Sequence, residues 1–456
     1  MKRLLVLASI LAWIPSAAAW AQNVGGGGVF PPNEVDQIKV DMAIEKGIKY
    51  LKANNASHLG AKDHVGRKMS NRELVLFTYV HADVPITDPD FKTLFDDMIK
   101  DKLEATYCVA LQAMVLEEVQ RVDWQKRILM CAKFLVDNQG PQGYWSYGSP
   151  SIYVEDVAYD VPKRKDVASG GGKADSGPRE FNLPTTNGPK QKPVVKNKVK
   201  VKKDRDGEGH DNSNTQYAAL GMRACYDSGI IIEDKVIDLA MKWLRDCQKK
   251  VQGPEEELVE GGVNGPDKPG ARPGVASGGG ATVAGPSMVT RKAMPDGWCY
   301  SDHADHEAYG SMTAGAIGSL AIWDYIKDND DGLKKRTWKS DKDVHKGLVW
   351  LAKNFSVTYN PGPYEHAKME KDSKNQYLYY MYALERAGMI YGTEIMGTHK
   401  WYPEGAKVLI DTQTANGSWG AGTVDTCFAI LFLKRATRAL GVATDSAAQM
   451  RAKMGK

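Results

Sequence analysis

No Cys-x-x-Cys pair occurs in the 456 residues, and past the first twenty no apolar stretch reaches transmembrane length without a charge or polar break. The first absence removes the paired-thiol metal and redox motifs. The second removes a membrane-spanning reading for the bulk of the chain. Charge of one sign is also scarce. The formal net charge is only +4, and seven lysines with no acid lie between Lys190 and Lys203. Without that run the remainder carries about −3, too little positive charge for a nucleic-acid partner.

The N-terminus is distinctive. Lys2 and Arg3 precede an apolar run, Leu4 to Ile14, and Ala19-Trp20-Ala21 forms a small-x-small site before Gln22. This reads as a secretory signal peptide over residues 1–21, too short to span a bilayer, followed by a linker over 22–34. No Cys follows it to take a lipid anchor. The expectation is a soluble protein exported to the periplasm or the extracellular space. In that setting disulfides are possible. Yet five of the six cysteines, Cys108, Cys131, Cys225, Cys247, Cys299 and Cys427, sit in apolar helical runs, where a thiol serves as a small hydrophobe. Both readings stand.

An internal repeat organises the rest. A small residue, two variable ones, a large apolar or aromatic residue and Leu recur at Gly47–Leu51, Cys131–Leu135, Ala240–Leu244, Gly347–Leu351 and Gly405–Leu409. Four residues later stands Gln139, Gln248 or Gln413, with Asn55 and Phe355 in two degenerate copies. Gln139 leads to Gly143-Tyr-Trp145 and Gln413 to Gly417-Ser-Trp419, while after Gln248 the ending waits until Gly297-Trp298. Between these marks amphipathic helices alternate with helices apolar almost all round. The spacing predicts six of each, the apolar set near 70–82, 105–119, 213–228, 308–326, 374–389 and 423–440. A helix apolar all round must be buried on every side. An α/α barrel follows, with an open superhelix of helix pairs as the alternative. Residues 149–211 and 251–294 have no helical or strand period and read as disordered insertions in one domain over 35–440, before a tail at 441–456.

The pattern small-x-x-aromatic-Leu-x3-Gln-x3-Gly-x-Trp resembles the QW repeat of squalene–hopene and oxidosqualene cyclases, shared more loosely with protein prenyltransferase β subunits. The stretches 211–221, 309–322 and 401–420 look like exported planctomycete-type proteins known as prenyltransferase/squalene-oxidase repeat proteins. The resemblance implies an all-α, α6/α6 toroid, in which Gln139, Trp145, Gln248, Trp298, Gln413 and Trp419 staple adjacent turns.

Chemistry is harder to find. Cyclases start by protonating an alkene or epoxide, which needs a carboxylic acid kept neutral in a dry cavity. The family's Asp-x-Asp-Asp-Thr motif has only Asp425-Thr426 here, with Val424 at the proton-donating position, and Asp425 reads first as a helix cap. A literal match at Asp328–Asp331 has the composition of a solvated turn. Asp296-Gly-Trp-Cys299-Tyr-Ser301 partly resembles the zinc segment of prenyltransferases. Beside it, Asp302, His303 and His306 form the densest polar cluster. Cys299, His303 and His306 are the zinc candidates, and Asp302, His303, His306 and Asp425 the catalytic ones, against a solvated helix-capping loop. Trp145, Trp298, Tyr309 and Trp419 are expected near the mouth where buried helices begin, as ligand-binding aromatics. Three functions remain open. They are a toroid that binds a small molecule (isoprenoid or glycan) or a protein, an isoprenoid- or triterpenoid-processing enzyme, and a polysaccharide lyase or hydrolase, the last on fold analogy alone.

Overall fold

Local sequence starts four of the helices. Asp36, Asp88, Asp211 and Asp341 each place a carboxylate oxygen on backbone N–H groups of a first turn, leaving fewer donors unpaired where the helix begins. The computed structural model describes residues 35–54, 61–62, 68–151, 154, 195–261, 288–301, 307–327, 337–362, 376–420, 422–437 and 440. Among them the fold is all-α in class, with twelve α-helices and a few short strands. The helices are α1 (Gln37–Ala53), α2 (Arg72–His81), α3 (Pro89–Lys100), α4 (Thr106–Gln120), α5 (Gln125–Asp137), α6 (Asn212–Asp227), α7 (Asp234–Asp246), α8 (Gly310–Lys327), α9 (Lys342–Lys353), α10 (Tyr377–Tyr391), α11 (Trp401–Thr412) and α12 (Thr423–Lys434).

The two helix kinds separate in space as they do in sequence. In α2, α4, α6, α8, α10 and α12 most residues are buried all round, including Ala314, Ala316, Ile317, Leu320 and Ala321 of α8. In α1, α3, α7 and α9 burial follows one stripe, as in Phe91, Leu94 and Met98 of α3. The buried helices pack in order, α2 on α4, α4 on α6, α6 on α8, α8 on α10 and α10 on α12, and α12 packs back on α2. The amphipathic helices lie against this set: α3 on α2, α5 on α4 and α6, α7 and α9 on α8, α11 on α10 and α12, and α1 on α11 and α12.

The repeat marks form three equivalent joints. Each Trp is fully buried and donates its indole N–H to the Leu carbonyl of its own repeat: Trp145 to Leu135 at 2.7 Å, Trp298 to Leu244 at 2.7 Å and Trp419 to Leu409 at 2.8 Å. That closes a carbonyl left over at a helix C-terminus. The Trp backbone N–H goes to a threonine hydroxyl on the following buried helix, Thr215, Thr313 or Thr426. The Gln amide donates twice. One bond reaches the carbonyl in its own turn (Gly143, Asp296 or Gly417), and the other reaches the next amphipathic helix in the series: Gln139 to Val236, Gln248 to Asp343 and Gln413 to Ala43. The small residue of the next repeat admits the indole. A Cβ on Gly347 would lie 2.7 Å from Trp298, and one on Gly47 would lie 3.0 Å from Trp419.

The segments lacking periodicity are partly built into this frame. Residues 195–211, inside the first expected insertion, are strapped along α5. Lys133, buried, takes Asp137 at 2.8 Å, Asp204 at 2.6 Å and the Lys202 carbonyl at 3.0 Å. Lys203 donates to the Gln139 carbonyl, and β1 (Val199–Lys200) pairs in parallel with β2 (Ile230–Ile231). In the second insertion β3 (Glu256–Gly261) and β4 (Met288–Ala293) pair antiparallel. The expectation of disorder is corrected at these residues. Polar groups and backbone pairing hold them, and neither leaves an apolar stripe to read. Residues 1–34 lie outside the described residues. No helix among the described residues is long and apolar enough to cross a membrane.

Candidate functional site: a tyrosine-lined shaft

The loops carrying the Trp marks meet the starts of the buried helices at one end of the molecule. Thr106 N–H donates to the Tyr147 carbonyl, Asp211 to Trp145, Asn212 to Tyr300, Tyr309 to Trp298 and Gly310 to Pro361. Helix starts gathered this way present N–H groups and partial positive charge. Asp211 is tied down there as a cap, accepting from Ser213 Oγ at 2.6 Å and Asn214 N at 2.7 Å.

Between these starts an aromatic lining runs inward. Tyr107 of α4 lies 4.5 Å from Tyr217 of α6, ring centroid to centroid, and Tyr217 stacks with Tyr379 of α10 at 6.4 Å. Phe428 of α12 meets Tyr379 at 5.6 Å and Tyr382 at 5.8 Å. Tyr107 and Tyr379 keep some accessible surface, yet burial pushes both phenols above their ordinary range. Their rings are thus partly accessible yet crowded by neighbouring groups. Tyr147 and Tyr300 stand at the rim with hydroxyls 3.4 Å apart.

Gln216 and Arg386 lie at the base of this lining. The Gln216 carbonyl oxygen accepts from the Tyr379 hydroxyl at 3.0 Å and from Arg386 Nη2 at 3.4 Å. The Arg386 guanidinium lies 4.4 Å from the Tyr382 ring centroid, 5.5 Å from Tyr217 and 5.8 Å from Tyr379. Arg386 is 2 % exposed, its Nη1 has no hydrogen-bond acceptor, and among the described residues no carboxylate forms an ion pair with it. The neighbouring Glu385 turns elsewhere, to Thr437 N at 2.9 Å and Thr437 Oγ1 at 2.7 Å. Burial raises its carboxyl to about 7.

The residues singled out from sequence are dispersed relative to this shaft. Trp145, Trp298 and Trp419 are not in the mouth. Their rings are buried and their N–H groups are used in the joints, so they are withdrawn as ligand contacts. Tyr309 is at the right end but buried, its backbone folded against Gly362. Asp425 is buried in the first turn of α12, its carboxylate beneath Gly420, where an added Cβ would come within 2.1 Å of Oδ2. Val424, the proton-donating position of the cyclase motif, is 36 % exposed. Cys299 is buried with its thiol on the Ser301 carbonyl at 2.6 Å, and burial raises its pKa. Asp302, His303, His306 and Asp328–Asp331 lie outside the described residues. Among those described, no three His, Cys, Asp or Glu side chains converge on a metal-sized site. All six cysteines are free thiols, and burial pushes Cys131 and Cys427 up to about 12.

Sequence reading missed Tyr217, Tyr379, Tyr382 and Arg386. The available signal was that α10 carries adjacent charges, Glu385 and Arg386, in an otherwise apolar stretch, with Tyr379, Tyr382 and Arg386 spaced 3 and 4 apart on one helix face. At the opposite end, a cavity of about 50 Å³ lined by Phe77, His81, Arg223, Asp227, Tyr382 and Thr437 has room for little more than ordered water. No family model matches this chain. No curated protein matches it, and no solved structure does.

Proposed function

We propose that the chain is an exported α6/α6 toroid of the squalene-cyclase and prenyltransferase repeat type that binds a small molecule in the tyrosine-lined shaft without cyclising it. Two sets of contacts support the toroid. The six buried helices contact one another in a cycle ending with α12 on α2, and the Gln413–Trp419 joint reaches α1, at the other end of the chain. The observation that carries the function is the shaft itself. Aromatic rings from α4, α6 and α10 come together there, Tyr217 closed to solvent and Tyr107 and Tyr379 keeping some accessible surface, the kind of aromatic lining that small-molecule sites use. The same shaft argues against cyclase chemistry. Gln216 and Arg386 fill its base, and an acid donor would need an oxygen there, yet Val424 has none and faces outward.

The test is a fluorescence titration of the full chain with squalene, farnesol and a neutral trisaccharide, alongside product analysis after overnight incubation. One of the compounds is expected to bind unchanged. Tyr107→Ala with Tyr379→Ala is expected to weaken it by about tenfold, as the loss of two aromatic contacts implies. Recovery of a cyclised product from squalene would overturn the reading. So would an affinity indifferent to both tyrosines.

A further inference from the structure

Arg386 is held in an unusual state. A guanidinium keeps its charge under all ordinary conditions, and taking it out of water without a counter-ion is costly. Three tyrosine faces compensate in part. They are not an anion, and the hydrogen bond from Nη2 to Gln216 is a long one to a neutral group. Glu385 is adjacent in sequence but engaged with Thr437. Glu385 thus acts on the guanidinium only at a distance, and among the described residues no carboxylate pairs with it and no acceptor meets Nη1.

Its position is equally specific. Tyr382 lies five residues into α10, about 8 Å along the axis from the helix start. Long side chains on a helix lean back toward its N-terminus, which brings the Arg386 guanidinium level with Tyr382 and Tyr217. It therefore lies among rings closed to solvent, Tyr217 and Tyr382, deeper than Tyr379 and Tyr107, which keep some accessible surface. A planar cation with one unpaired edge fits a planar anion of single charge. A multiply charged diphosphate would leave most of its charge unmatched there.

We propose that Arg386 anchors the carboxylate of the ligand that enters the shaft, whose remaining body lies against Tyr107, Tyr217 and Tyr379. This rests on the shaft being a binding site, as proposed above. A carboxylate of this kind can belong to an isoprenoid acid or to an acidic sugar, and the experiment separates them.

The experiment is calorimetric titration of the full chain with farnesoic acid and trigalacturonate, each beside its uncharged counterpart, farnesol and a neutral trigalactoside. One acid is expected to bind at least about tenfold more tightly than its counterpart, and which one identifies the source. In Arg386→Met the acid should lose its preference over the uncharged compound. Arg386→Lys keeps the charge and should retain part of the preference. Equal affinity for acid and counterpart in the unchanged protein overturns the anchor while leaving the shaft standing, as does an Arg386→Met that binds acid undiminished. If neither acid nor either uncharged counterpart binds, the shaft reading fails as well. A purely structural Arg386 is separately testable. Thermal unfolding of Arg386→Met should then show a lower midpoint with no change in binding, whereas an unmatched buried cation replaced by Met should leave the midpoint equal or higher.

Discussion

Glu385 shows how strongly one buried side chain can tie stability to pH. Its carboxyl is raised by burial from 4.5 to about 7, with the Thr437 hydrogen bonds acting the other way. A carboxyl whose folded pKa exceeds its unfolded one binds its proton more tightly in the folded state. Its contribution to stability is therefore complete below about 4.5 and is lost as pH rises through about 7. The span is worth about 3 kcal/mol. Glu385→Gln is expected to melt near the unchanged protein at pH 5 and several degrees above it at pH 8. The neutral amide still offers an oxygen to the Thr437 N–H, and the Thr437 hydroxyl can turn to accept from its NH2 group. Melting curves across pH 5 to 8 decide it, and parallel curves for the two proteins would show that Glu385 does not titrate there. The same residue marks a limit of reading from sequence. Glu385 and Arg386 stand side by side, and nothing in the sequence says that one turns to Thr437 and the other to Gln216.

At the scale of elements, the repeat was the legible part. Apolar residues at helical spacing gave twelve segments, and twelve helices lie at those places with boundaries shifted by a few residues. The Gln and Trp marks were legible because the same backbone groups need closing at each joint, so the same side chains recur. Residues 195–211 were not legible, since Lys133, Asp137 and Asp204 hold them with ionic and backbone hydrogen bonds that leave no periodic trace. The shaft was legible only in its location. The mouth where buried helices begin followed from alternation, but its aromatic lining came from tyrosines in the helices and not from the Trp loops. The joints carry their own prediction. Trp419→Phe keeps one six-membered ring but loses the pyrrole half of the indole and its bond to the Leu409 carbonyl, leaving an unmet acceptor and a small void, so a cost of at least about 1–3 kcal/mol is expected. Trp298→Phe should cost the same through Leu244, because the geometry is the same. Chemical denaturation of the two variants checks both, and a large difference between them would mean the joints are not equivalent.

At the scale of the whole molecule, the proposed ring makes the two ends of the chain mutually dependent. The seam joins the Gln413–Trp419 turn and α12 to α1: Gln413 donates to the Ala43 carbonyl, a Cβ on Gly417 would lie 2.5 Å from the Lys46 carbonyl oxygen, and Gly47 faces Trp419 and Ile430. A Cβ on Gly47 would already lie 2.8 Å from Ile430 Cδ1 and 3.0 Å from the Trp419 ring. Gly47→Leu therefore overfills the seam from both sides, a kind of change that costs about 1–3 kcal/mol in a packed core. The location of the damage distinguishes the architectures. In an open superhelix each pair depends on its sequence neighbours, so hydrogen exchange should rise only in α1, α2 and α3. In a closed ring it should also rise in α11 and α12, more than 350 residues away, while α4, α5 and α6 keep their protection. Gly221→Ala is the matched control, because its Cβ would press on Ala110 between α4 and α6, away from the seam. It should raise exchange in those two helices and leave both chain ends alone.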